Sequence, residues 1–195
     1  MKEIRSFKCD IIGDIETRKM VGHAAVFNEE TVIGNKFREE IAPGAFEESI
    51  SSGDVRALFN HNPDFVLGRT KAGTLKVSED ERGLLVDIDP PDTTFARDLA
   101  KSIERGDIDQ MSFAFRVPEG GAEWRQGENG ELDLRIIRKA EVMDVSPVTF
   151  PAYEGTDIAI RSHEDWKAQN AAADEDAQTT NANAINKRRE LLKHL

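Results

Sequence analysis

Residues 107–121, DIDQMSFAFRVPEGG, contain the most apolar run of the chain and set a small hydroxyl residue, Ser112, inside it. Met111, Phe113, Phe115 and Val117 alternate with Ser112, Ala114 and Arg116, the period-two pattern of a strand with one greasy face and one small, polar face. Taken alone, a serine at such a place is most often filler on the less buried face of a half-buried strand. It acquires a chemical meaning only if a base and an acid stand on neighbouring strands.

The surroundings of this strand are of the same kind. From residue 1 to about 160, short apolar alternations are separated by Gly, Pro, Asn and Asp, which predicts an antiparallel, mainly β (α+β) domain. The expected strands include KMVGHAAVFN, VRALFNH, VLGRT, TLKVSED, GLLVDID, MSFAFRV, LDLRIIRKAEVMDVSPVTF in one or two pieces, and DIAIRS. Two helices interrupt them. PGAFEESISS opens on Pro43 and sets Phe46 and Ile50 four apart; DTTFARDLAKSIERGD opens on an Asp/Thr cap, repeats Phe95, Leu99 and Ile103 on one face and stops at Gly106. Helices of this kind are expected to flank a barrel or a strongly curved sheet.

Composition narrows the function classes. The 195-residue chain is long enough for one ordinary domain plus a tail, and a single cysteine, Cys9, excludes an intramolecular disulfide framework. A net charge of −11 argues against non-specific nucleic-acid binding. Residues 161–195 carry six basic and six acidic side chains, so the whole excess lies in residues 1–160. No apolar run approaches the length of a membrane span, no leader pattern opens the chain, and no cluster has metal-ligand spacing, so neither membrane, metal nor cofactor is expected. After about Trp166, KAQNAAADEDAQTTNANA lacks apolar periodicity and reads as a linker, followed by the short amphipathic INKRRELLKHL. The expected division is therefore a folded domain at 1–162, a linker at 163–184 and a terminal segment at 185–195.

Four histidines are candidates for a base. His194 lies in the tail, His163 borders the linker, and His23 reads as a structural strand residue. His61 differs, because VRALFNHNPDF runs Val55, Ala57, Phe59, His61 along one face and then breaks at Asn-Pro-Asp, placing His61 at a strand end, anchored at its base and open at its tip. A histidine base needs a third group to fix its tautomer and to stabilise the imidazolium. RKAEVMDVSPVTFPAY offers Glu141, with Met143 and Val145 on one face, and Asp144, with Val142, Ser146 and Val148 on the other. Only one of the two carboxylates can easily take that place.

Read together, GHAAVFN, IAPGAFEESI, VRALFNHNPDFVLGRTKAGTLKVSEDERGLLVDIDPPDT, IERGDIDQMSFAFRV and EVMDVSPVTFPAY resemble the prohead (procapsid) maturation proteases of tailed bacteriophages, themselves similar to the herpesvirus assemblin proteases. The likeness spans roughly residues 3–162. It implies an assemblin-like β-barrel with flanking helices, a catalytic pair of His61 and Ser112, and an acid at Asp144, where most relatives have Glu; they also have Gly where this chain has Ala114. Glu141 stays open as the alternative acid, and Arg116, on the face of Ser112, is a candidate support for the oxyanion. The activity implied is a serine endopeptidase that cleaves the scaffold segment of the major capsid protein, and then itself, inside the procapsid in the host cytoplasm. A homodimer is implied too, with the two helices as candidate contact surfaces. The alternative is a catalytically silent capsid-assembly or scaffold protein of the same fold.

Overall fold

In a computed structural model the described residues are 2–7, 11–14, 16–151 and 159–172. The chain divides into a unit of residues 1–158 and a second unit that begins at Ala159. The first unit is mainly β. Its strands are β1 (Glu3–Phe7), β2 (Ile12–Gly13), β3 (Met20–Val26), β4 (Thr31–Ile33), β5 (Phe37–Ile41), β6 (Arg56–Phe59), β7 (Asn62–Arg69), β8 (Leu75–Glu79), β9 (Gly83–Ile88), β10 (Gln110–Arg116), β11 (Ala122–Arg125), β12 (Leu134–Ile137) and β13 (Glu141–Val148). Helices α1 (Glu47–Ser52) and α2 (Thr94–Glu104) interrupt them.

Three sheets form. The first runs β1-β10-β13-β6-β7, the second β11-β12-β5-β4 and the third β2-β3-β9-β8. All neighbours are antiparallel except β13 with β6 and β12 with β5. Phe113, Phe115 and Met111 of β10 join Met20, Leu84, Val86 and Ile88 of the third sheet and Phe46, Val142 and Val145 in one buried apolar cluster. Phe113 is the hub of its aromatic part, stacked on Phe7 and Phe115 and edge-on to Phe46. A closed barrel is not traced among the described residues.

Both expected helices are present. α2 is capped by the Thr93 hydroxyl, which accepts from the Ala96 N–H at 3.2 Å, buries Leu99 and Ile103, and ends at Gly106 with φ +79°. α1 is shorter than PGAFEESISS suggested: residues 43–46 form a turn whose Gly44 and Phe46 N–H groups are held by the Glu79 carboxylate at 2.8 and 2.7 Å.

The expectation of a strand at DIAIRS is overturned, since residues 159–172 form a helix, α3. Ala159, His163 and Trp166 stand at i, i+4 and i+7, with Ala159 and His163 buried and the rings of His163 and Trp166 stacked. Six residues of apparent alternation are too few to outweigh that longer helical period. Residues 163–172 are therefore helical rather than linker, and the remainder of the expected linker and the segment 185–195 lie outside the described residues. Among the described residues no helix is long and apolar enough to cross a membrane.

Candidate active site

The strand carrying Ser112 occupies the interior of the first sheet, with β1 on one side and β13 on the other. Ser6, Ser112 and Ser146 are directly opposite one another across these three strands, as are Ile4, Ala114 and Asp144. Because side chains alternate along each strand, this register gathers the small polar residues on one face and sends Phe113 and Phe115 to the core. Ser112 is not filler on a half-exposed face: it is fully buried.

Asp144 lies on the same face by plain alternation with Ser146, and a β-bulge follows on its N-terminal side. Ala114 pairs with Asp144 and Phe115 with Val142, which leaves Met143 as an extra residue of β13, exposed at the bulge. Val142 and Val145, three apart, both enter the core cluster. The expected grouping of Asp144 with Val142 on one face is thus corrected, because the extra residue inverts the alternation between them. Asp144 keeps Ser146 as its face-mate.

His61 is placed by a tight turn. Phe59 pairs with Asn62, so Asn60-His61 is a two-residue hairpin loop, and both residues have positive φ, +52° and +56°. Positive φ at both central residues is the pattern of a type I′ turn, which asparagine adopts readily and histidine more readily than most side chains. The turn comes earlier than Asn-Pro-Asp suggested, and Pro63 sits within strand β7, where the lack of an N–H is tolerated because β7 is an edge. The Asn60 side chain bonds the Thr149 N–H at 2.8 Å and the Thr149 hydroxyl at 3.1 Å, and the Asn60 N–H bonds the Pro147 carbonyl at 3.1 Å. The His61 N–H donates to the Ser146 hydroxyl at 3.2 Å. The end of β13 and Thr149 just after it therefore hold the Asn60–His61 turn through four hydrogen bonds, three by Asn60 and one by the His61 N–H.

Three of the residues singled out in the sequence meet here. His61 Nε2 lies 2.7 Å from Ser112 Oγ, and His61 Nδ1 is hydrogen-bonded to Asp144 Oδ1. Ser146 Oγ donates to the same Oδ1 at 3.3 Å, and Lys2 Nζ reaches Oδ2 at 3.1 Å. Burial pushes the Asp144 carboxyl up, but the hydrogen bond and charge of His61, together with the Lys2 ammonium, outweigh it and hold the group below its ordinary range. Ser112 Oγ is also 2.8 Å from the Arg5 carbonyl. An ionised carboxylate fixes the proton of the imidazole on Nδ1, which leaves Nε2 free to take the proton of the serine hydroxyl.

Other candidates are held elsewhere. Glu141 is exposed and accepts from Arg116 at 3.0 and 2.5 Å. Arg116 is thus tied to Glu141 at the end of β10, four residues and roughly 13 Å along the strand from Ser112, and is not brought to the nucleophile; Arg138 and Lys139, just before Glu141 in the chain, pair with Glu123 and Glu48. His23 pairs with Asp80 at 2.8 Å. His194 lies outside the described residues. The parts played by Ser146, Lys2 and the Arg5 carbonyl escaped the sequence reading, apart from the placement of Ser146 beside Asp144.

A family model of the caudovirus prohead serine proteases matches residues 6–170. No curated relative and no solved structure is matched. The match takes in the three elements that bring Ser112, His61 and Asp144 together and runs on into α3, and on its extent the chain belongs to the caudovirus prohead serine protease family.

Proposed function

We propose that the chain is an active serine endopeptidase that cleaves the scaffold segment of the major capsid protein during procapsid maturation. The observation that carries this reading is the continuous hydrogen-bonded series from Ser112 through His61 to Asp144, assembled from three different elements. Ser112 attacks the scissile carbonyl while His61 takes its proton at Nε2. Asp144 orients the ring through Nδ1 and stabilises the imidazolium. His61 then returns the proton to the leaving amine, and water repeats the cycle on the acyl-enzyme. No protein–protein assembly role requires a buried serine aligned on a histidine that is itself hydrogen-bonded to a buried carboxylate, and this favours the protease over a catalytically silent assembly protein of the same fold. An assemblin-like barrel, a homodimer and action within the procapsid in the host cytoplasm belong to the same reading, supported by the family.

The test is incubation of the purified chain with its matching capsid protein. Wild type is expected to release a defined N-terminal fragment of the capsid protein and to trim itself somewhere after about residue 160. Ser112→Ala is expected to fold normally and to lose both cleavages by about 10⁴-fold or more. Residual turnover within about tenfold of wild type removes Ser112 as nucleophile. Wild type that leaves capsid protein and itself intact supports the silent assembly protein.

A further inference from the structure

A carboxylate that is only 5% exposed needs a donor on each of its oxygens. Oδ1 of Asp144 has two, His61 and Ser146. On Oδ2 the one donor among the described residues is the ammonium of Lys2 at 3.1 Å.

Lys2 is not a stray surface cation that happens to fall there. It precedes β1, whose register on β10 sets Ile4 opposite Ala114, which is in turn opposite Asp144. By strand parity Lys2 shares the face of Ile4 and Ser6, and its four-carbon stem reaches along that face to the carboxylate. The strand beneath it is fixed, since the neighbouring Glu3 and Arg5 are buried and ion-paired on the opposite face. Lys2 lies outside the residues matched by the family model, so nothing in the family assignment gives it a part.

We propose that Lys2 is a positioning residue of the Ser112–His61–Asp144 relay, holding the outer oxygen of Asp144 and moderating the negative charge seen by His61; this rests on the protease reading. It acts in two ways. Anchoring Oδ2 stops the short aspartate side chain from turning about its terminal bond, so Oδ1 stays aligned on His61 Nδ1. The positive charge also offsets part of the carboxylate field at the imidazole.

The experiment compares wild type, Lys2→Met, Lys2→Arg and Ser112→Ala on one peptide spanning a cut site mapped with wild type, over a range of pH. Lys2→Met keeps the apolar stem and removes the charge. It is expected to lower kcat by about threefold to tenfold with KM unchanged, and to move the acid limb of the kcat/KM profile to higher pH by several tenths of a unit, as expected for loss of a partly solvated charge near the base. Lys2→Arg is expected to restore both. A purely structural lysine would change thermal stability and leave the limb where it is. Superimposable profiles for wild type and Lys2→Met, beside an inactive Ser112→Ala, overturn the part given to Lys2 and leave the protease reading standing. An active Ser112→Ala removes Ser112 as nucleophile and with it the relay that Lys2 is held to serve, and a wild type that leaves every peptide and protein substrate intact overturns the protease reading itself.

Discussion

The proton of Ser112 has two acceptors within reach, His61 Nε2 at 2.7 Å and the Arg5 carbonyl at 2.8 Å, and only one of them can hold it. With neutral His61, protonated at Nδ1 toward Asp144, the hydroxyl donates to Nε2 and the serine is poised. Once His61 is an imidazolium, Nε2 becomes a donor and the hydroxyl turns to Arg5, so the protonated site is both without a base and latched. Everything depends on the tautomer that Asp144 imposes. Asp144→Asn is therefore expected to preserve the fold and lower turnover of a scaffold-derived peptide by up to about 10⁴-fold, while Glu141→Gln, which only releases an exposed ion pair with Arg116, changes it little. The reverse outcome would transfer the acid to Glu141. The carboxyl of Asp144 is depressed in the folded chain, so its contribution to stability is present above the ordinary carboxylate range and is lost as pH falls through the lower, folded value. Asp144→Asn should flatten that acid limb of the stability curve, measured by denaturant unfolding below about pH 4. At this scale the sequence was partly legible. Ser112 and Asp144 stand out because each is polar in an apolar strand, whereas the Arg5 carbonyl and Lys2 are unremarkable until the strand register places them.

Two local features of the strands that carry the site do not show in a hydrophobic pattern. The bulge at Met143 inverts the alternation of β13, and the positive φ of His61 appears only once the turn is located between Phe59 and Asn62. The turn gives a sharp expectation. Asn60→Ala replaces a residue suited to φ +52° by one that is not, and removes both side-chain bonds to Thr149, so it should cost about 1–2 kcal/mol and lower kcat by loosening His61. Asn60→Gly restores the backbone preference without the ties, and should recover much of the stability but not the rate. Stability by chemical unfolding ordered wild type, Gly, Ala checks the turn; an Ala variant equal to wild type would show that the turn carries no such strain. The elements that were legible are those with one wet face, such as β3, β8 and β9, and α2 with its apolar stripe. β1 was missed for the opposite reason. Glu3-Ile4-Arg5-Ser6-Phe7 is buried on both faces, with its charges satisfied internally, so it presents no contrast between polar and apolar positions. β4, three residues long, carries too few residues for a period to emerge.

Across the whole unit, an acidic chain has placed four of its charges where water does not reach. Glu3 and Arg5 of β1, Glu39 of β5 and Arg135 of β12 are each less than 5% exposed and bond one another at 2.7–3.2 Å, joining the sheet of Ser112 to the second sheet. Two acids and two bases cancel, and the planar guanidinium forks let each arginine reach both carboxylates. Burial pushes Arg135 toward losing its proton, but Glu39 and Glu3 outweigh it and hold the group charged. Arg135 also lies over the Trp124 ring, 5.9 Å from its centre. Such a set is not expected to exceed an apolar core in stability, because dehydrating four ions consumes most of their mutual attraction. Its weight falls on the order in which it is broken. Arg135→Met leaves Glu3 and Glu39 sharing Arg5 alone, one net negative charge in a dry interior, and should cost about 3–5 kcal/mol, or on the order of 10 °C in Tm for a unit of this size. Arg135→Lys keeps the charge but not the fork, since an ammonium is a point donor, and should fall between the two. β1 is the edge of its sheet and supplies both the Arg5 carbonyl and the approach of Lys2, so Arg135→Met should lower turnover at temperatures where the protein is still folded. Unfolding midpoints and peptide turnover for the two variants, measured together, decide it. A Met variant as stable as wild type would mean that water reaches the four charges, and one that is unstable yet fully active when folded would mean that β1 holds its register through β10 alone.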